Sequence, residues 1–434
     1  MRVVDIIQKK RDKQPLSDAE IRFLLENYLS GDVPDYQLSA FLMAVYFNGM
    51  NDEELFEFTD VMMNSGDLID FAGINRFLID KHSTGGVGDK TSIALAPLLS
   101  AFGIGTAKLS GKGLGHTGGT IDKFESIAGF SFPQTREELV NVVNSTGIGI
   151  MGYSDSIVPL DKQLYALRDV TGTVPSIPLI ASSIMSKKLA VHADGIILDV
   201  KVGNGAFMKD IDQAKKLADT MLRIGKRFDR NIMVVLSNMD QPLGNAVGNS
   251  LEVIEAIETL KGLGPEDFTE LVVTLAGIAL LMKKDVKTLE EGIEKANDMI
   301  NSDVVLDNLK AFIKACGGDE KIVNDYTRLP IGRETREVVS MKEGYIHRIM
   351  AEDIGKAAMI LGAGRATKDD VIDHGVGVVL RKKVGDTVQT GESLATIYYN
   401  DMEHVDSANK MILGAYKVEP HETSTPLVIK EILK

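Results

Sequence analysis

A glycine-rich segment at residues 80–89, DKHSTGGVGD, carries the residue types that bind an anion. Small residues let backbone N–H groups approach an anion closely, and the N-terminus of a following helix adds partial positive charge. Lys81 supplies a full charge, while Ser83 and, just beyond the segment, Ser92 supply hydroxyl donors. An apolar run precedes the segment and a helical run over residues 91–102 follows it. We therefore expect a phosphate-binding loop between a strand and a helix.

A second glycine-rich segment, KLSGKGLGHTGGT at residues 108–120, repeats this combination. Lys108 and Ser110 open it, and Thr120 closes it before another predicted helix. One loop of this kind is often only a tight turn. Two loops at adjacent strand ends can converge on one phosphate, because parallel strands present their carboxyl ends at the same edge of a sheet. The pair therefore favours a phosphate site.

The second segment also contains the G-x-G-x-x-G spacing of a dinucleotide-binding turn. That site needs an acidic residue about 20 positions further on, at the end of a strand. Glu137 and Glu138 stand at that distance, but both fall in a predicted helix. A nucleotide P-loop is excluded as well, because Lys112 is followed by glycine rather than by serine or threonine.

A third polar cluster lies in otherwise apolar helical sequence, in YALRD at residues 165–169 and SSIMSKK at 182–188. Arg168 and Lys187 offer hydrogen-bond donors, and Ser183 adds a hydroxyl. These groups could bind the carbonyl oxygens of a neutral heterocycle. Taken alone, the cluster is more typical of the polar surface of a helix than of a binding site.

The candidate residues must be positioned by helices and strands. The sequence pattern predicts these elements as a small all-helical domain followed by a larger mixed α/β domain. In residues 1–65, a capping-box spacing at Ser17 and Glu20 opens a helix with one apolar face. In residues 70–330, β-branched runs alternate with helical stretches, as in a mostly parallel sheet. Residues 159–188 interrupt the alternation with helix and are expected to pack on the first domain. Five runs are predicted as strands of the sheet, at 77–79, 106–109, 148–151, 195–200 and 232–236.

Residues 331–434 predict a C-terminal α+β region with the character of a barrel-sandwich domain. The stretch VGDTVQTGESLATI resembles the barrel of biotinyl and lipoyl domains. A carrier domain needs a lysine at a hairpin tip just after this stretch, and residues 398–402 contain none. A structural role is therefore predicted for the region.

Composition limits the classes of function. The 434 residues carry 48 Lys and Arg against 62 Asp and Glu, a net charge of −14 that disfavours nucleic acid and anionic membrane as partners. Cys316 is the single cysteine, so no intrachain disulfide can form. The longest apolar run, residues 271–282, is shorter than the ~20 residues of a membrane span and predicts a buried helix. With no apolar signal segment at the N-terminus, we expect a cytoplasmic protein.

Taken together, these segments resemble the pyrimidine nucleoside phosphorylases over essentially the whole chain. KHSTGGVGDKTS is similar to that family's phosphate loop, and SGKGLGHTGGTIDKFE to its signature, with Lys112 where the family usually has arginine. LYALRDVT and SIPLIASSIMSKK resemble its base-binding segments. The resemblance implies reversible phosphorolysis, in which a pyrimidine nucleoside and inorganic phosphate give a free base and a pentose 1-phosphate.

The resemblance also implies roles for individual residues. His82 would be the catalytic acid, donating toward O2 of the departing base, or would only orient it by a hydrogen bond; His116 would be structural. Phosphate would be held by Lys81, Ser83, Ser92, Lys108, Ser110 and Thr120. The nucleoside would be held by Arg168, Ser183 and Lys187, between apolar walls formed by Leu114, Ile180 and Phe207. A potassium ion would be held by Gly88, Lys90, Leu243, Ala246 and Glu255, with Lys90 replacing the family's usual threonine and offering its backbone carbonyl.

Substrate range and assembly follow from the same resemblance. Thymidine-specific relatives have methionine at the position of Lys108, so lysine predicts a broad enzyme that cleaves uridine, thymidine and 2′-deoxyuridine. A homodimer formed through the helical domain is expected, with a hinge that closes base and phosphate sites together. The alternatives are a thymidine-specific phosphorylase, a related phosphoribosyltransferase with a magnesium pyrophosphate site, and a non-catalytic nucleoside-binding protein.

Overall fold

The computed structural model describes residues 1–113, 118–365, 367 and 370–434. The chain begins with a helical bundle made of α1 (Val3–Arg11), α2 (Asp18–Leu29), α3 (Asp35–Asn48) and α4 (Asp52–Met63). Capping boxes open α2 at Ser17 and α4 at Asn51, as their side chains and the third residue of each helix exchange hydrogen bonds. The predicted apolar face of α2 is buried in the bundle, as residues Ile21, Leu24, Leu25 and Tyr28.

The α/β domain follows, and all five predicted strands are confirmed. Its first half contains β1 (Phe77–Ser83), α5 (Thr91–Ala101), β2 (Ile104–Ser110), α6 (Thr120–Glu125), α7 (Arg136–Thr146), β3 (Ile148–Gly152), α8 (Pro159–Thr171) and α9 (Ile177–Leu189). Its second half contains β4 (Gly195–Val202), α10 (Ile211–Arg227), β5 (Ile232–Asn238), β6 (Ala246–Val247), α11 (Asn249–Leu260), α12 (Glu266–Lys283), α13 (Leu289–Ile300) and α14 (Asp303–Ala315). Helix α12 contains the longest apolar run and is buried, as predicted. No helix in the described part of the chain is both long enough and apolar enough to span a bilayer.

Helices α8 and α9 pack on the N-terminal bundle. Leu160 and Leu164 of α8 and Leu179 of α9 share one apolar core with the buried faces of α2 and α3. The Thr59 hydroxyl of α4 donates to the Ser182 hydroxyl of α9 over 3.1 Å, both of them buried. The bundle and these two helices therefore form one layer beside the sheet.

Beyond α14 the chain builds two small antiparallel sheets. Two short 3₁₀ turns, Glu320–Val323 and Tyr326–Arg328, lead into β7 (Glu334–Val339), β8 (Gly344–Ile349), α15 (Ala351–Ala358), β9 (Gly377–Leu380), β10 (Thr387–Val388), β11 (Ser393–Tyr399), α16 (Val405–Ala415), β12 (Tyr416–Glu419) and β13 (Ile429–Leu433). The sheets have the orders β10–β8–β12 and β6–β9–β11–β7. Strand β6 belongs to the α/β part of the sequence, so it joins the C-terminal region to that domain.

The main sheet has the order β13–β5–β4–β1–β2–β3. Strands β1 to β5 are parallel, while β13 runs antiparallel against β5, with Ile432 opposite Val235. The sequence analysis assigns residues 331–434 to a separate C-terminal region and does not predict that β13 pairs with the main sheet. The carboxyl ends of β1 and β2, which carry the two glycine-rich loops, lie side by side at the middle of one edge.

Candidate active site

The two glycine-rich loops leave neighbouring strands and enter helices. Strand β1 ends in Lys81, His82 and Ser83, and α5 begins at Thr91, immediately before Ser92. Strand β2 ends at Ser110, and α6 begins at Thr120. Both predicted strand–loop–helix junctions are thus present. The predicted contact residue Leu114, and His116, lie outside the described residues.

Lys81 and Lys108 meet across the two strands. The Lys108 ammonium donates to the backbone carbonyl of Lys81 over 3.0 Å. The Lys81 ammonium lies 3.1 Å from the Asp199 carboxylate of β4 and 3.9 Å from Asp89 in the first loop. Both lysines are buried, so their charges are poorly screened by water. Two of the six predicted phosphate residues are thereby brought into direct contact.

Two more buried lysines surround this pair. Lys188 of α9 lies 2.9 Å from the Asp80 carboxylate, and Lys201 of β4 lies 2.7 Å from Asp199. Desolvation opposes the charge on Lys188, but Asp80 outweighs it and raises the pKa of that lysine. Among the described residues, no carboxylate oxygen lies within 4.0 Å of the Lys108 ammonium. Lys108 is therefore the cation of this cluster whose charge is not neutralised by a partner.

Because no carboxylate pairs with Lys108 among the described residues, its buried ammonium loses its proton more easily. Burial, together with repulsion from Lys81 and Lys188, lowers the pKa of Lys108 from 10.5 to about 7. An anion placed against this ammonium would relieve the repulsion and restore the proton. The cluster is therefore arranged to receive negative charge from outside the protein.

Asp89 organises the first loop. Burial opposes its ionisation, but Lys81, Lys201 and hydrogen bonds from the Ser83 and Thr91 hydroxyls hold the pKa of Asp89 well below its usual range. The Thr91 hydroxyl donates to the carboxylate over 2.6 Å, at the N-terminus of α5. Asp89 therefore stays ionised and fixes the loop between strand and helix.

His82 lies in a strongly positive environment. Burial, followed by the charges of Lys188, Lys108, Lys187 and Lys81, lowers the pKa of His82 well below 6.5. Its imidazole is therefore neutral at neutral pH when no anion is bound. A neutral imidazole carries one N–H donor, so His82 can donate a hydrogen bond but has no spare proton.

The predicted base-binding residues gather on α8 and α9. The Arg168 guanidinium donates to the carbonyls of Val174 and Leu179 over 2.8 and 3.1 Å, and its buried Nε has no hydrogen-bond partner among the described residues. The Lys187 ammonium donates to the Ser183 hydroxyl over 3.1 Å and forms an ion pair with Asp161. These contacts hold Ser183 and Lys187 together.

The remaining apolar walls are less enclosed. Ile180 is partly buried on α9, one turn before Ser183. Phe207 lies on the segment between β4 and α10, and 44% of its surface is exposed. A role for Phe207 in base binding stays a prediction.

The five residues predicted to hold potassium come together, but they do not fit that ion. The Lys90 ammonium itself donates to the carbonyls of Leu243 and Ala246 over 2.8 and 3.0 Å, and it forms an ion pair with Glu255. The Lys90 side chain turns inward, and its ammonium contacts the oxygens that a metal ion at this position would need.

Sequence reasoning missed Asp89, Lys188, Asp199 and Lys201 as members of the site. A signal was present for two of them, because strand β4 reads GIILDVKV and is buried along its whole length. Charged residues in a fully buried strand are rarely tolerated without a partner. Asp199 and Lys201 therefore mark the site from the sequence, although not the identity of the groups they contact.

Known protein families match the chain along most of its length. The helical bundle domain of the glycosyl transferase family matches residues 4–66, and the a/b domain of that family matches residues 75–303. The pyrimidine nucleoside phosphorylase C-terminal domain matches residues 345–419. Fold, site and matches together define a glycosyltransferase of the pentosyl-transferring kind.

Individual relatives narrow this class. A pyrimidine-nucleoside phosphorylase from Staphylococcus haemolyticus is 51% identical over 433 residues, covering 100% of both chains, and one from Geobacillus stearothermophilus is 50% identical over 429 residues, covering 99% of both. This chain belongs to the pyrimidine-nucleoside phosphorylase family, and the resemblance seen in the sequence is confirmed.

A solved structure shows the same fold at much lower sequence similarity. Anthranilate phosphoribosyltransferase from Thermus thermophilus superposes with a TM-score of 0.59 at 17% identity, over 71% of this chain and 98% of that one. This likeness concerns the helical bundle and α/β architecture alone.

Proposed function

We propose that this protein catalyses the reversible phosphorolysis of pyrimidine nucleosides, giving a free base and a pentose 1-phosphate. The observation that carries the proposal is the unneutralised ammonium of Lys108, which lies against Lys81 where two glycine-rich loops meet. Inorganic phosphate, the co-substrate, supplies the charge that this cluster lacks. Ser83, Ser92, Ser110 and Thr120 would complete the phosphate site with hydroxyl donors.

In this reaction a phosphate oxygen bonds to C1′ of the pentose while the bond from C1′ to the base nitrogen breaks. The electron pair of that bond leaves with the pyrimidine, where charge develops on the ring and its O2 carbonyl. No covalent intermediate with the protein is required, so positioning and electrostatic stabilisation supply the rate. The lysines would position and stabilise the phosphate, and the hydrogen-bond donors near the base would stabilise the charge that develops on the departing pyrimidine.

The charges of Lys108, from the proposed phosphate site, and of Lys187, from the proposed base site, both act on His82. We propose that it donates a hydrogen bond toward O2 of the departing base, from a neutral imidazole. When a phosphate anion binds among the lysines, it offsets their charge and raises the pKa of His82 toward neutrality.

Arg168, Ser183 and Lys187 are proposed to bind the pyrimidine carbonyls. Guanidinium has five N–H donors, and the carbonyls of Val174 and Leu179 engage two of its nitrogen atoms. The Nε of Arg168 is buried without a hydrogen-bond partner among the described residues, which supports a role for this guanidinium in binding an acceptor group. Lys187 acts electrostatically on His82, which supports a base site next to the phosphate site.

The proposed substrates are uridine, thymidine and 2′-deoxyuridine. By family resemblance, Lys108 in place of methionine favours acceptance of ribose as well as 2′-deoxyribose. The test is release of uracil and thymine from the three nucleosides, with and without phosphate. Phosphate-dependent release from all three is expected. Release from the deoxynucleosides only would restrict the enzyme to thymidine-type substrates, and no release from any would overturn the proposed activity.

A homodimer through the helical bundle is part of the proposal. Helix α3 exposes Tyr36 near its start and Phe47 near its end, each with 74% of its surface accessible, and the Tyr46 ring packs against Phe47 with centroids 5.5 Å apart. Large aromatic side chains grouped on one helix are typical of protein interfaces. The predicted domain boundaries, the cytoplasmic location and the closing hinge stay predictions alongside it. Potassium is left out of the mechanism, because the Lys90 ammonium takes up its ligands.

A further inference from the structure

Lys90 has no exposed side-chain surface, although lysine is among the residues least often buried. It stands at the N-terminal boundary of α5, and its side chain reaches the loop that precedes β6. Its ammonium has three acceptors: the carbonyls of Leu243 and Ala246, and the carboxylate of Glu255. Lysine carries three N–H donors, so donors and acceptors match in number.

The acceptors form a site that requires positive charge. Glu255 is buried on α11, and its carboxylate accepts the backbone N–H groups of Asn245 and Ala246 over 2.8 and 3.0 Å. The two carbonyls that bind Lys90 come from Leu243, in the loop before β6, and from Ala246, the first residue of β6. A buried carboxylate beside two carbonyl oxygens is unfavourable without a cation, because all of these oxygens carry negative charge.

The loop geometry leaves little room for any other cation. A Cβ atom on Gly88 would lie 2.6 Å from the Leu243 carbonyl oxygen and 3.4 Å from the Lys90 ammonium nitrogen. The Lys90 ammonium is already in contact with all three oxygens, so a metal ion bound to the same oxygens would press against the ammonium. Two like charges in contact repel strongly inside a protein, where the effective dielectric constant is low.

We propose that the Lys90 ammonium takes the place of the monovalent cation that the family resemblance implies, so that this protein needs no added potassium. The ammonium is covalently part of the protein, so this cation is present at every concentration of salt. It joins three parts of the structure: the first glycine-rich loop, the loop before β6, and helix α11.

Lys90 acts through the phosphate loop and is therefore a positioning residue. Its neighbours in sequence are Asp89, which binds Lys81, and Thr91, which opens α5. Its own N–H donates to the carbonyl of Gly88 over 3.0 Å, and Leu243 N–H donates to Val87 over 3.1 Å. Fixing the ammonium on the loop before β6 therefore fixes the path of residues 87–91.

The first test compares the protein in potassium, sodium and choline chlorides at equal ionic strength, by melting temperature and by phosphorolysis rate. We expect both quantities to be the same in all three salts. A melting temperature that rises with potassium and saturates, but does not rise with choline, would overturn the proposal. The melting temperature does not depend on the proposed function, so an inactive protein could still support or refute the inference.

The second test restores threonine. Lys90→Thr should lower the melting temperature in choline chloride by roughly 5 °C, because a buried carboxylate loses its partner. Potassium should restore the melting temperature and the phosphorolysis rate of Lys90→Thr, with a saturable dependence on its concentration. In crystals of this variant, thallium should give an anomalous diffraction peak beside Glu255. A folded Lys90→Thr protein that ignores potassium would contradict the inference.

Two controls separate the cation site from general salt effects. Lys90→Met keeps the length of the side chain but not its charge, so it should be destabilised and potassium should not restore it. Lys162→Thr removes an exposed lysine of α8, paired only with exposed Asp155, and should change neither quantity. Equal rescue of Lys90→Met and Lys90→Thr by potassium would assign the effect to ionic strength and overturn the proposal.

Discussion

The Lys108 ammonium donates to the backbone carbonyl of Lys81 across the neighbouring ends of β2 and β1, over 3.0 Å. This bond brings the side chain of one glycine-rich loop against the main chain that precedes the other. It also leaves Lys108 with a carbonyl instead of a carboxylate as its partner. The proposed site therefore lacks one negative charge among the described residues near Lys108, which the phosphate is proposed to supply.

Substitution of Lys108 should change substrate choice. Lys108→Met is expected to lower the ratio of uridine to thymidine turnover, because the lysine is proposed to accommodate the ribose. Steady-state kinetics on both nucleosides measures the ratio. Lys112→Met is the matched control, since Lys112 lies in the same loop but is exposed and paired with Glu125 over 2.9 Å. An unchanged ratio of uridine to thymidine turnover in Lys108→Met would contradict the proposed role of Lys108 in accepting ribose.

Anion binding should weaken as the pH rises through the pKa of Lys108. That pKa is lowered to about 7, so the free protein loses this charge above neutrality while an anion favours the protonated form. Sulfate, which stays a dianion throughout, should bind up to about tenfold more weakly per pH unit above 7, as expected for one linked proton. Titration of sulfate inhibition between about pH 6 and pH 8, which is about one unit on either side of the transition, measures this dependence.

The control for this pH effect is a variant whose cation at position 108 does not titrate in the same pH range. Lys108→Arg keeps a cation at all of these pH values, because arginine stays protonated, so its sulfate affinity should vary much less. A pH dependence of equal steepness in the arginine variant would assign the titration to another group.

His82 should act through a hydrogen bond that another neutral donor can partly replace. His82→Ala is expected to lower kcat by roughly 10² to 10³-fold, the effect of removing one donor at a developing charge. His82→Gln supplies an amide N–H and should recover part of this loss. If glutamine were as slow as alanine, with unaltered KM values and melting temperature, proton transfer rather than hydrogen bonding would be the role of His82.

The buried pair of Lys188 and Asp80 should be costly to break. Lys188→Met leaves the Asp80 carboxylate without its 2.9 Å partner and should destabilise the protein by about 3–5 kcal/mol. Urea unfolding measures the free energy. The double variant with Asp80→Asn removes both charges and should be more stable than Lys188→Met alone. A double variant less stable than either single one would show that the pair is not the source of the loss.

The exposed aromatic residues of α3 should support the dimer. Phe47→Glu is expected to convert the protein to a monomer, because a carboxylate is poorly tolerated in an apolar interface. Light scattering after size exclusion measures the mass. Leu263→Glu, at a turn where 72% of the side chain is exposed, is the control and should not change the mass. A dimer that persists in Phe47→Glu would locate the interface elsewhere.

Much of the architecture could be predicted because its signals are local. The five strands of the main sheet are short β-branched runs, and their boundaries were found to within a few residues. Helix α7 begins after Thr135 as its capping box indicates, which is why Glu137 and Glu138 could be excluded as ribose-binding residues. Local spacing fixes such elements before any tertiary contact forms.

The charge pairing of the site could not be predicted, because it joins residues far apart in the chain. Lys81 is paired with Asp199, and Lys90 with Glu255, across different elements. The inward turn of Lys90 depends on a loop more than 150 residues away, which no local pattern reveals. The family resemblance marks Lys90 as a departure from threonine, and the contacts of its ammonium support the role proposed for it.

Strand β13 has a consequence for how the protein is made. Residues 429–433 cover the β5 edge of a sheet whose other strands all lie before residue 239. During synthesis, that edge stays open while the whole C-terminal region is translated, and open strand edges invite pairing with other chains. The sheet can therefore be completed only after residues 429–433 have been synthesised, so the β5 edge is open to pairing with other chains throughout translation of the residues between β5 and β13.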